Sequence, residues 1–219
     1  MILPPWNHAL SPTEAMELQE RLRDKVVEEG SPLPPRGWVA GADCSTRKGE
    51  SVGVGAIVVM SFPELEVVET ALHRGEVSMP YIPGLLSFRE LPLLLGAFGK
   101  LKTRPHVIIV DGNGIAHPRG LGIASHLGIT LGVPTIGCAK SRLLGEHGEP
   151  GVEKGDVAVW THQGRQIGAV LRTRRGVKPV YVSVGHMVSL EEATRIVLAC
   201  ATRYRLPEPV RAAHKAVSG

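Results

Sequence analysis

Two aspartates stand directly behind apolar runs. Asp43 follows Trp38-Val39-Ala40-Gly41-Ala42, and Asp111 follows Val107-Ile108-Ile109-Val110. Such runs read as buried strands, so both acids fall at strand ends and can project from one sheet edge. Two carboxylates converging there repel and call for a cation, and oxygen ligands favour Mg²⁺ or Mn²⁺. Either aspartate could instead cap the turn that follows its strand. The run Asp111-Gly112-Asn113-Gly114 opens like a dinucleotide-binding turn. The third glycine of that motif would fall on His117, with Pro118 behind it, and no G-x-x-x-x-G-K-[ST] run occurs. A cradle for dinucleotides or nucleoside triphosphates is therefore not indicated.

Glu90 has two readings. Ser87-Phe88-Arg89-Glu90 is formally a capping box, in which Glu90 satisfies a backbone donor at a helix start. A carboxylate in a first helical turn can equally face a metal at the sheet edge. Just upstream, Met79-Pro80-Tyr81-Ile82-Pro83-Gly84 brackets two bulky apolar residues with prolines. Such a loop is stiff and holds Tyr81 and Ile82 in a fixed pose. Rigid apolar side chains on a loop can wedge open a base step, or the loop can be a turn with both residues tucked into the core.

Charge is unevenly spread. The net charge is +4, but residues 1–150 carry −2 and residues 151–219 carry +6. Arg165, Arg172, Arg174, Arg175 and Lys178 lie in one stretch without an acid. This stripe suits a phosphate backbone or is a solvated loop. Aromatics at 4% exclude a module built on many stacking rings. Cys44, Cys138 and Cys200 are odd in number and lack a C-x-x-C pair, so reduced buried thiols are expected rather than a zinc site or disulfides.

The elements that must position these groups follow from periodicity and punctuation. Ser11-Pro12-Thr13-Glu14 is a capping box opening a helix that Gly30 closes. Strands are expected at 37–43, 52–60 and 65–73, joined by short links as an antiparallel meander with the second strand central. A helix from Ser87 to about Leu101 follows, then a strand at 106–111, a helix at 120–131 and a strand at 133–137. Later strands are expected at 156–161, 168–172 and 180–184. Ser189 caps a last helix that ends before Pro207. Strands first in a meander, then alternating with helices, predict an α/β fold with a mixed sheet covered on both faces. At 219 residues the chain is expected to form one domain, 1–219. Its uncharged runs are too short to span a bilayer and no signal pattern opens it, so a cytoplasmic protein without membrane contact is expected.

Taken together, these segments closely resemble endonuclease V, the deoxyinosine-directed endonuclease family. The resemblance rests on Gly41-Ala42-Asp43, on Met79 through Gly84 continuing to Leu86-Ser87-Phe88-Arg89-Glu90, and on Val110-Asp111-Gly112-Asn113-Gly114. It continues through His117-Pro118-Arg119, Gly122 to His126, Pro134 to Lys140, Gly185-His186 and Tyr204 to Pro209, nearly the whole chain in the family's order. The family usually has histidine within the D-G-x-G turn, where this chain has Asn113.

The resemblance implies a ribonuclease-H-like fold and a Mg²⁺-dependent nuclease, with Mn²⁺ able to substitute. The enzyme would recognise hypoxanthine in single- or double-stranded DNA and cut the second phosphodiester 3′ of the lesion, leaving 3′-hydroxyl and 5′-phosphate ends. Inosine-containing RNA is a further substrate on this reading, and the protein is expected to be a monomer. Asp43, Glu90 and Asp111 match the metal carboxylates, Lys140 the active-site lysine and His214 the histidine near the metal. Pro80, Tyr81, Ile82 and Pro83 match the wedge. Gly84, Leu86, Gly112, Ile123 and Gly137 match a largely backbone base pocket. His117, Arg89 and Arg119 are expected to contact phosphate or DNA, although His117 could also be a turn histidine held by Pro118. Two rival readings are a non-catalytic reader of inosine in RNA, which the acid trio disfavours, and a metal phosphohydrolase of small nucleotides, which would need neither wedge nor basic stripe.

Overall fold

The computed structural model describes residues 10–46 and 51–219. In chain order they form α1 (Pro12–Arg23), β1 (Gly37–Thr46), β2 (Val52–Phe62), β3 (Val67–Glu76) and α2 (Leu86–Phe98). These are followed by β4 (Val107–Val110), α3 (Ile123–Leu131), β5 (Thr135–Ala139), β6 (Glu146–His147), β7 (Val157–His162) and β8 (Arg165–Leu171). The chain continues with β9 (Val180–His186), α4 (Leu190–Cys200) and α5 (Glu208–Ser218). The strands make one sheet in the order β3-β2-β1-β4-β5-β9-β8-β7-β6. The expected antiparallel meander is β1 to β3, while β1, β4 and β5 run parallel. β2 has a neighbour on each side, but it lies next to an edge rather than at the sheet's centre.

Strand alternation separates two cores. Val39, Val107 and Ile109 face one layer, with Ile196 and Val197 of α4 and Val210 and Ala213 of α5. Ala40, Ala42, Ile108 and Val110 face the other, with Leu91 and Leu94 of α2 and Ala124 and Leu127 of α3. Helices therefore cover both faces, as the pattern predicted.

Four boundaries differ from expectation in ways that bear on function. α1 stops at Arg23 rather than near Gly30, although its Ser11–Glu14 capping box is present. α2 begins two residues earlier than a Ser87 cap would allow. Its cap position is Leu85, with no side-chain cap bond, and Ser87 sits inside the helix with Oγ 3.1 Å from His126 Nδ1. β1 runs on to Thr46 because β2 continues to pair with it, so Asp43 lies within the strand. Finally, the chain beyond Pro207 forms α5, which the sequence reading left without an element. Glu208 and Pro209 in its first turn are a helix-start signature that was there to be read.

Candidate metal centre and its surroundings

Register brings the two aspartates together. Ala42 pairs with Val110 across the parallel β1–β4 ladder, so Asp43 and Asp111 are the next residues on adjacent strands. Alternation turns both toward the α5 layer, on the same side as Val39 and Ile109. α5 reaches them because β1 carries glycine where the helix crosses. A Cβ on Gly41 would lie 1.9 Å from the carbonyl oxygen of Pro209. From that seat the helix delivers His214, whose Nδ1 stands 2.8 Å from Asp43 Oδ2. Ligand atoms of Asp43, Asp111 and His214 all lie within 4.8 Å of one another.

Glu90 approaches from the opposite layer on α2. It is not a cap. Burial, then the neighbouring Asp43 charge, pushes its pKa up to about 8, with Asp111 adding and Arg89 opposing. Asp43 is also raised, first by burial and then by Asp111, against the lowering bonds from His214 and from the Cys44 N–H at 2.8 Å. Burial and the crowding of carboxylates both disfavour their ionised forms. The two aspartates and the imidazole form one cluster, with Glu90 near enough to feel both aspartate charges, and carboxylate oxygens suit Mg²⁺ or Mn²⁺. Lys140, immediately after β5, supplies one cation, with Nζ 2.5 Å from Asp111 Oδ2. Arg205 Nη2 bonds the Lys140 carbonyl at 2.5 Å and the Pro179 carbonyl at 2.7 Å.

The proline-bracketed loop resolves into two fates. Tyr81 is 69% exposed, whereas Ile82 packs against Met79, Leu85 and Phe88. Both feet of the loop are tied down. Arg89 donates from Nη1 to the Met79 carbonyl at 2.8 Å and from Nε to Thr46 Oγ1 at 3.3 Å. At the other foot Gly84 adopts φ +80°, a left-handed conformation that favours glycine. Its carbonyl accepts from Arg119 Nη2 at 2.7 Å and from Gln19 Nε2 at 3.1 Å. Gln19 is fully buried on α1. It also donates to the Leu121 carbonyl and accepts from Arg119 Nε at 2.6 Å. His117 is buried beside them, its pKa pushed down to about 4 by burial and then by Arg119. Its Nδ1 accepts from the Arg119 N–H at 3.2 Å, and its ring also bonds the Gly84 backbone. Arg89, Arg119 and His117, expected at phosphates, are thus engaged in holding the loop. Gln19 was missed altogether, since a glutamine on a polar helix reads as a solvated residue.

The residues matched to a base pocket are partly gathered. Gly112 and Ile123 are in direct apposition, a Cβ on Gly112 falling 2.6 Å from Ile123 Cγ2. Leu86 is exposed at the start of α2 beside Gly84. Gly137 is buried, packed under the Asn113–Gly114 backbone. The basic stripe does not form one surface. Arg165 and Arg172 flank opposite ends of β8, about 20 Å apart at strand rise. Arg165 pairs with Glu28 and Arg175 with Glu153, while Arg174 bonds the Arg203 carbonyl. Arg172 donates to the carbonyls of Pro150, Gly151 and Val177. As expected, the three cysteines are free thiols.

A family model described as Endonuclease V matches residues 20–215. An endonuclease V from a Nostoc species is 51% identical over 214 residues, covering 98% of this chain and 96% of the relative. The chain belongs to the endonuclease V family. Membership makes it a nuclease, with a ribonuclease-H-like fold. The crystal structure of endonuclease V from Streptomyces avermitilis superposes with a TM-score of 0.94 at 42% identity, covering 100% of this chain and 96% of that one. Endonuclease V of Ciona intestinalis, solved in complex with a 23mer DNA containing an inosine followed by a ribo-adenosine, gives 0.80 at 33% identity, covering 95% and 97%. In endonuclease V terms, the aspartates of this chain face the α5 layer, while Glu90 and the clamped loop belong to the α2 side. Among the described residues no helix is long and apolar enough to cross a membrane.

Proposed function

We propose that this chain is a single-domain, Mg²⁺-dependent endonuclease acting on DNA that contains deoxyinosine. It hydrolyses the second phosphodiester 3′ of the lesion and leaves 3′-hydroxyl and 5′-phosphate ends. The observation that carries the reading is the convergence of Asp43, Asp111 and His214 with Glu90 close by. Family membership and the inosine-DNA complex of the Ciona protein support the choice of substrate.

Asp43, Glu90 and Asp111 would hold the metal. When bound, Mg²⁺ polarises the scissile phosphate and lowers the pKa of a water. The chain's own groups do the rest. Lys140, fixed at Asp111 and tethered through its carbonyl by Arg205, offsets charge that develops on the phosphoryl oxygens. His214 keeps Asp43 oriented through their bond. Tyr81, held out by a loop anchored at both feet, fills the gap left when the base leaves the stack. Backbone N–H groups near Gly84, Gly112 and Ile123 read the hypoxanthine carbonyl and disfavour adenine, which carries an amine there.

The deciding experiment is cleavage of matched oligonucleotides, single- and double-stranded, DNA and RNA, with and without one inosine, in Mg²⁺. Cutting confined to inosine strands, one nucleotide beyond the lesion's own 3′ linkage, is expected. Inosine-specific binding without Mg²⁺-dependent cutting would replace the nuclease by a reader.

A further inference from the structure

A cleft of about 500 Å³ lies beside Lys140 and is lined by Lys140, Arg142, Arg172, Lys178, Arg205 and a single acid, Glu149. Its charge is poorly compensated. The guanidinium of Arg172 is held by three backbone carbonyls and that of Arg205 by two. Carbonyls fix those groups in place but leave their charge intact. Arg142 and Lys178 are exposed and have no ion-pair partner among the described residues. A concave surface with five cations and one carboxylate is an anion site, and fixed guanidinium groups suit phosphate oxygens.

Its place in the sheet gives it a direction. Asp43 lies on β1 and Asp111 just past β4, whereas the cleft is built mostly from residues that follow β5 and β8 or precede β9, with Glu149, Tyr181 and Arg205 completing it. The Met79 foot of the clamped loop is tied through Arg89 to Thr46 at the far end of β1. The carboxylates therefore lie between loop and cleft, with Lys140 shared by the metal centre and the cleft wall.

We propose that this cleft seats backbone phosphates of the strand being cut, on the 3′ side of the scissile linkage. The inference rests on the nuclease reading above, because a lesion held at the loop and cut on its 3′ side must send its 3′ continuation past Lys140. Arg142 and Lys178 are the phosphate contacts, and Arg172 and Arg205 form the charged floor.

The test uses inosine duplexes that either extend well beyond the cut on both sides or are truncated on one side. For the unaltered protein, KM should rise on 3′ truncation. The double variant Arg142→Ala/Lys178→Ala should have a raised KM for the long substrate and little further response to 3′ truncation, while its response to 5′ truncation stays that of the parent. Losing two contacts should reduce the log–log salt slope of kcat/KM by about 1.8, so a fourfold rise in salt costs the parent roughly tenfold more than the variant. Thermal melts of both proteins show that the variant is folded. Equal sensitivity of parent and variant to 3′ truncation, or an unchanged salt slope, overturns the cleft assignment while leaving the nuclease reading intact. If the parent fails to cut the long inosine duplex, the nuclease reading fails and the 3′ assignment goes with it.

Discussion

Asp43 and Asp111 each follow directly on the Ala42–Val110 pair of adjacent parallel strands, so their closeness is set by backbone pairing rather than by rotamer choice. Replacing either by asparagine keeps the shape and removes a charge. Asp43→Asn and Asp111→Asn should each abolish detectable Mg²⁺-dependent cutting while inosine-specific binding persists, as a gel-shift beside a cleavage assay would show. Lys140→Met should be milder, lowering kcat on the order of 10²-fold, the usual scale for one group stabilising transition-state charge. Glu90 gives a pH prediction for the metal-free protein. Its carboxyl has an ordinary value of 4.5 and sits at about 8 in the fold. Below 4.5 both folded and unfolded chains hold the proton. Between 4.5 and about 8 only the unfolded chain releases it, so Glu90's contribution is fully present at low pH and is lost as pH rises through about 8. His117 acts with opposite sign. Its value is depressed from 6.5 to about 4, so its contribution is present above 6.5 and fades as pH falls toward 4. Melting curves across pH 5 to 9 should therefore show Glu90→Gln removing a decline between about pH 5 and pH 8, and added Mg²⁺ should raise Tm more at about pH 8 than at about pH 5. The aspartates were legible in the sequence because apolar strand runs point straight at them. Residue spacing alone left Glu90 open between cap and ligand, because Ser87 imitates a cap; the true helix start, with Ser87 turned toward His126, dismisses the cap.

Among the elements, the loop between β3 and α2 is held by side chains from three separate places in the chain. Its prolines announced stiffness, but the anchors at Met79 and Gly84 could not be read, since Gln19, Arg89, His117 and Arg119 meet only in the folded molecule. A ring kept exposed on such a support can fill an unstacked gap at little entropic cost. Tyr81→Ala should reduce cleavage of duplex inosine substrate more than of single-stranded substrate, where less stacking and pairing must be undone. Equal losses on both would make Tyr81 a simple base contact. Gln19→Leu removes bonds to Gly84, Leu121 and Arg119 without touching the ligands. It should reproduce the duplex-selective loss and cost about 1–3 kcal/mol of stability, the penalty for buried polar groups left unpaired. A melt combined with the two-substrate comparison separates the effects.

For the whole molecule, the alternation of strand and helix signals predicted one mixed sheet with two covered faces, and that is the architecture. Electrostatics was the part that sequence order misrepresented. β8 carries Arg165 away from the other four cations of the stripe, and the cluster that does form keeps only Arg172 and Lys178 of them, drawing the rest from residues 140, 142 and 205. Arginines of the stripe should therefore behave unlike one another. Arg172→Ala should cost about 2–3 kcal/mol through three carbonyls losing a charged donor. Arg175→Ala, which breaks an exposed pair with Glu153, should change stability by less than about 1 kcal/mol. Denaturant unfolding of the two variants checks the contrast.

The seat that Gly41 provides for α5 also has a consequence in time. The imidazole that meets Asp43 is supplied 171 positions later, so every described strand precedes it in the chain. Contacts of such sequence separation are late and slow in folding. A chain still being synthesised, or one whose last helix has come away, keeps its sheet acids yet lacks the group that orients one of them. Docking of α5 is then the final step by which the centre is assembled, and a substitution at Gly41 would halt assembly there while leaving the β1–β4 pairing that brings the two acids together.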